Sequence, residues 1–71
     1  MTNSSIKLVG KNVRKYRKLR NLSQEKLSEL VDVTTDYISL IELGKRVPSL
    51  KRLYKIAEIL DIEPYKFLKE I

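Results

Sequence analysis

Apolar residues recur along this chain at helical rather than strand spacing, in five short blocks separated by cap and turn signals. The first block predicts a helix over 6–20, where Val9, Val13 and Tyr16 follow i, i+4, i+7 spacing and the stripe ends on the charge of Arg20. Asn21 stands where a left-handed residue would close that helix, and Leu22 is placed to fold back on the core. A second helix over 24–31 starts behind Ser23 as N-cap, with Glu25 suited to the positive end of the helix dipole and Leu27, Leu30 and Val31 as its buried face. The third, over 35–43, has Thr34 as N-cap, Asp36 in its first turn, Ile38 and Ile41 pointing inward, and Gly44 as its stop. The fourth, over 50–60, follows Pro48 and Ser49. Leu50, Leu53, Ile56, Ala57 and Leu60 give it a strong amphipathic pattern. A fifth begins near Pro64 and presents Phe67, Leu68 and Ile71. Residues 1–5 are polar and read as a frayed lead-in, which leaves 6–71 as a single all-α domain, a compact five-helix bundle.

Composition narrows what such a bundle can do. The 71 residues include no cysteine and no histidine, which excludes a disulfide framework and the usual zinc site, so no metal or other cofactor is expected. No apolar run exceeds three residues, so no membrane span and no signal-peptide core is expected, and the reading is a soluble cytoplasmic protein. A glycine-rich phosphate loop and a carboxylate pair in a cleft are both lacking, and a bundle this small leaves little room for a substrate pocket; no catalytic residue is assigned. Nor does any segment suggest a small-molecule effector site.

The net charge is +6, and its distribution says more than its size. Residues 1–24 carry seven basic side chains and no acidic one, and residues 45–55 carry Lys45, Arg46, Lys51, Arg52 and Lys55, again without an acid. Between them, residues 25–42 are net acidic. Two basic blocks around an acidic centre suggest a polyanionic partner, because neutralising phosphates releases counterions. A merely solvated, charged surface is the plainer alternative.

The stretch from Ser23 to Gly44 is the most informative: two short helices joined by Asp32-Val33-Thr34. Ser28 is small enough for one helix to cross the other, Asp32 tolerates the left-handed turn, and Val33 and Ile38 supply the apolar contacts. Ser23-Gln24, Leu27-Ser28, Asp32-Val33, Ile38-Ser39-x-Ile41-Glu42-x-Gly44 and Pro48-Ser49-Leu50, with Gly10, Val13 and Arg17 before them, resemble the Cro/CI-type (XRE-type) helix-turn-helix family over about residues 9–68. Ser28 and Asp32 stand where that family usually has Ala and Gly. The resemblance implies a phage-repressor-like domain that binds double-stranded DNA as a homodimer on a palindromic operator, in a bacterial or phage-infected cell.

Carried over residue by residue, the resemblance makes the third helix the one that enters the major groove. Thr34, Thr35, Asp36, Ser39 and Leu40 would then face base edges; for Asp36, stabilisation of the helix start is an equal alternative. Gln24, Tyr37, Lys45, Arg46, Arg14, Lys18, Lys51 and Arg52 would meet phosphates. For Tyr37 the alternative is a partly buried ring, and for Gln24, Lys51 and Arg52 a solvated side chain. Lys11, Lys15 and Arg20 read as solvated. Arg17 and Glu42 would form a partly buried ion pair between the first and third helices. Ile62, Tyr65, Phe67 and Ile71 are the candidates for the dimer surface. A protein-interaction module that reuses the fold, such as an antitoxin or adaptor, is the competing reading.

Overall fold

Three hydroxyl caps and four left-handed turns divide the chain into its elements. The computed structural model describes residues 3–70. Its elements are α1 (Asn3–Leu19), α2 (Gln24–Val31), α3 (Thr35–Glu42), α4 (Leu50–Leu60) and a 3₁₀ segment (Pro64–Leu68). Among the described residues there is no strand, so the all-α expectation holds. The expected fifth helix is instead the 3₁₀ turn: Pro64 supplies its start, but the segment is five residues long and ends at an extended Lys69. At the other end, α1 already includes residues 3–5, in place of the frayed lead-in expected there.

Each hydroxyl cap works by the same chemistry. The side-chain oxygens of Ser23, Thr34 and Ser49 accept from the backbone N–H groups of Lys26, Tyr37 and Arg52, satisfying donors that a helix start leaves open. The four α-helices also share one ending. Asn21, Asp32, Gly44 and Asp61 have φ of 56°, 65°, 73° and 57°. Around each, one N–H reaches back five residues and the preceding one three: Leu22 to Arg17 and Asn21 to Lys18, Val33 to Ser28 and Asp32 to Glu29, Lys45 to Leu40 and Gly44 to Ile41, Ile62 to Ala57 and Asp61 to Glu58. The residue after the left-handed position packs on the core as Leu22, Val33 and Ile62. After α3 that residue is Lys45, and it is exposed.

The core is formed by Val9, Val13, Leu27, Val31, Ile38, Ile41, Ile56, Ala57, Leu60 and Phe67. Two expected core residues stand outside it. Leu30 is 40% exposed and Leu50 is 68% exposed, because α2 and α4 are covered on narrower stripes than their leucine spacing suggests. Phe67 is wholly buried and meets Tyr16 edge to face, with centroids 6.5 Å apart. It is therefore a core residue and not part of a free dimer surface.

Polar contacts fix how the helices sit. Asn12, buried on α1, donates through its amide to the carbonyl oxygens of Phe67 and Lys69 at 2.8 and 2.9 Å, which holds the C-terminal segment against α1. Arg20 donates to the carbonyls of Leu60 and Asp61 at 2.8 and 3.4 Å. It places a cation at the negative end of α4, where the sequence suggested only a solvated side chain. Gly10 lies where α1 crosses α3: a Cβ there would press into the Ile41 carbonyl oxygen and come within 2.9 Å of that of Glu42.

Candidate nucleic-acid interface

The start of α3 and the two elements flanking it gather most of the polar side chains singled out in the sequence. α2 and α3 are joined by the Asp32 turn, and Ser28 is buried where they meet. Its hydroxyl donates to the Glu25 carbonyl at 2.7 Å and lies 3.2 Å from the Thr35 hydroxyl. Thr34 caps the helix and is exposed, Asp36 is exposed in the first turn, and Thr35 and Ser39 are half-buried. Leu40 sits one turn on at 37% exposure. Thr34, Thr35 and Asp36 therefore stand at the start of one short helix, and Ser39 and Leu40 one turn further along it.

Behind that helix lies an ion pair. Arg17 donates through Nε and Nη2 to the two carboxylate oxygens of Glu42 at 2.7 and 3.0 Å, and through Nη1 to the Leu22 carbonyl at 2.8 Å. The two side chains are only 10% and 4% exposed. The forked contact joins α1 to the end of α3. Gln24, first residue of α2, donates to the same Glu42 carboxylate at 3.1 Å. Its amide is thus held, not free in solvent, and its own carbonyl remains available as an acceptor.

Tyr37 ties α3 to the second basic block. Its half-buried ring packs on the core, and its hydroxyl accepts from the Ser49 backbone N–H at 3.3 Å. The guanidinium carbons of Arg46 and Arg52 lie over this ring, 5.0 and 5.6 Å from its centroid. Two cations that charge alone would drive apart are thereby kept on one aromatic platform, at the N-terminus of α4. Lys45 and Lys51 are exposed beside them in sequence. Arg14 and Lys18 are exposed on α1 and take no part in the hydrogen bonds that build this cluster. Among the described residues no group of three acidic, histidine or cysteine side chains could hold a metal, and no helix is long and apolar enough to cross a membrane.

Of the expected dimer residues, Ile62 is half-buried against the core and Tyr65 is 60% exposed. Ile71 lies outside the described residues. The sequence reading missed Asn12, the Ser28–Thr35 hydroxyl pair and the contact of Tyr37 with Ser49. Asn12 had a signal: it continues the Val9–Val13–Tyr16 stripe at i+3 from Val9, so a polar residue faces the core and needs partners there. The other two are contacts between elements, which no local spacing encodes.

The sequence model of the helix-turn-helix family matches residues 13–67. The chain belongs to that family. Members are DNA-binding transcription regulators, and this protein is one of them. It is 42% identical over 69 residues to control protein C.BamHI of Bacillus amyloliquefaciens, covering 96% of this chain and 85% of the relative. With control protein C.SmaI of Serratia marcescens it shares 36% over 61 residues, covering 86% and 73%. Its fold matches the crystal structure of the restriction-modification controller protein C.AhdI from Aeromonas hydrophila, with a TM-score of 0.85 at 34% identity, covering 90% of this chain and 97% of that one.

Proposed function

We propose that the protein is the transcriptional controller of a set of restriction-modification genes, binding a palindromic operator as a homodimer with α3 in the major groove. The observation that carries this reading is the joint likeness to C.BamHI and C.AhdI over nearly the full length of all three chains. The interface supports it chemically. Accessible hydroxyl, carboxylate and apolar side chains at the start of α3 suit base edges, and the Arg46–Tyr37–Arg52 platform beside them suits the backbone. Size supports the dimer. Half-sites one helical turn apart are separated by about 34 Å, and the longest dimension of one copy is 28 Å. Ile62 and Tyr65, with the exposed Leu68, are the candidate contacts between copies. The cytoplasm of a bacterial or phage-infected cell is the matching location.

Selection of bound sites from random duplex DNA tests the reading directly. It should return an inverted repeat with half-sites one turn apart, and log K should fall linearly with log salt. Lys45→Ala should weaken all sequences alike and lower that slope by about one, whereas Thr35→Ala should relax base preference at one position. Binding that ignores salt, or no enriched site, would sink the proposal.

A further inference from the structure

We infer that Ser28, buried behind α3, fixes the hydrogen-bond polarity of Thr35 and makes it an acceptor-only reader of base edges. This rests on the reading that α3 meets DNA. A hydroxyl has one proton to give and two lone pairs with which to accept. The Ser28 hydroxyl lies 2.7 Å from the Glu25 carbonyl oxygen, which can only accept, so the Ser28 proton is committed there. At 3.2 Å, the remaining contact between Ser28 and Thr35 then has one polarity: Thr35 donates and Ser28 accepts. The reverse arrangement would exchange a bond of ideal length for a long one.

The consequence for recognition follows from counting protons. With its single proton directed inward, Thr35 meets DNA through lone pairs. A base that offers an amino hydrogen gains a whole hydrogen bond. A base that offers only an acceptor must first pull the Thr35 proton away from Ser28, and gains only the difference between two bonds. In the major groove the amino donors are N6 of adenine and N4 of cytosine, while guanine and thymine present O6, N7 and O4 acceptors. Asp36, next in sequence and exposed, is a second acceptor-only group. Thr34 differs: its oxygen accepts from the Tyr37 N–H and its proton stays free. The start of α3 thus presents one hydroxyl able to donate, followed by two groups that only accept. Ser28 is a positioning residue, acting on DNA solely through Thr35.

The test compares sites selected from random duplex DNA by the full chain, by Thr35→Val and by Ser28→Ala. Val keeps the branched shape and the γ-methyl of Thr and replaces only the hydroxyl, so the operator position it flattens is the Thr35 contact. At that position the unaltered protein should prefer adenine or cytosine over guanine or thymine by about two- to threefold, the low end of what one net hydrogen bond is worth, because the 3.2 Å Thr35–Ser28 bond is what an acceptor base must break. Ser28→Ala frees the Thr35 proton and should abolish that preference, leaving other positions unchanged. A merely structural role for Ser28 would weaken binding without moving one base preference. The inference is overturned if the position favours guanine or thymine, if no position responds to Thr35→Val, or if Ser28→Ala retains the full preference. Ser28→Ala installs the residue that the family usually has there, so the variant should fold; removing the exocyclic amino group from the base at that position checks separately that Thr35 accepts from it. The unaltered protein should lose about fivefold in affinity and Thr35→Val nothing; equal losses overturn the inference. If the unaltered protein selects no sequence at all, the DNA-binding reading itself has failed.

Discussion

Replacing Glu42 by Ala removes the acceptor that Arg17 grips with two of its nitrogens, and the expected damage is to the fold. Taking one partner out of a buried ion pair costs roughly 3–5 kcal/mol, because the remaining charge is left without compensation. Here Arg17 keeps its third bond, to the Leu22 carbonyl at 2.8 Å, so the lower end of that range applies. Domains hold roughly 0.05–0.15 kcal/mol per residue, which puts the whole stability of this chain at about 4–10 kcal/mol. A loss of about 3 kcal/mol then lowers the melting temperature by roughly 12–24 °C. Urea unfolding followed by far-ultraviolet circular dichroism measures it, with the double variant Arg17→Met/Glu42→Leu as control. The double variant leaves no charge behind and should recover at least half of the loss, despite the Leu22 carbonyl and the Gln24 amide each losing a partner. A loss below about 1 kcal/mol in Glu42→Ala, the level typical of an exposed pair, would refute the reasoning. So would a double variant less stable than the single one.

Three further outcomes follow from contacts elsewhere in the molecule. Gly10→Ala should destabilise the protein by about 2 kcal/mol in thermal unfolding, since the new methyl meets backbone oxygens that cannot yield and the overlap outweighs the gain in helix propensity; a more stable variant would contradict the close approach of α1 to α3. Asn12→Ala should lose about 2 kcal/mol and speed amide exchange in residues 66–70, and unchanged exchange there would show that Asn12 does not hold the segment. Tyr37→Leu removes the platform under Arg46 and Arg52 and should weaken binding to every DNA sequence by about 1–2 kcal/mol, with base preference intact; a change confined to particular sequences would instead assign Tyr37 to base reading.

The local elements were legible because their causes are local. Ser23, Thr34 and Ser49 are caps by their own chemistry, and Asn21, Asp32 and Gly44 stop helices by tolerating a positive φ. The bounds of α2 and α4 follow directly. The fourth stop, Asp61, carries the same information. What the spacing did not convey was the width of each buried stripe: Leu30 and Leu50 satisfy helical periodicity, yet the neighbouring helices do not reach them. The 3₁₀ form of Pro64–Leu68 likewise depends on Phe67 entering the core and on Asn12 holding the carbonyls that follow. In the candidate site, residue types and their grouping at the start of α3 were readable. The Arg17–Glu42 pair was inferred through resemblance alone, since its members are 25 residues apart in sequence. The hydroxyl pair of Ser28 and Thr35, and the meeting of Tyr37 with Arg46 and Arg52, arise only when helices cross.

Asn12 and Arg17 share one uninterrupted helix, five positions apart, or about 7.5 Å along its axis. The first grips the C-terminal segment that bears Tyr65 and Leu68, and the second grips the end of α3. The two ends of the molecule are therefore held in phase by a single rod. An added residue in the loop of 43–49 would leave that phase alone. An added residue between Asn12 and Arg17 would turn one grip by about 100° against the other, so the length of a segment outside both α3 and the C-terminal segment sets how those two are oriented.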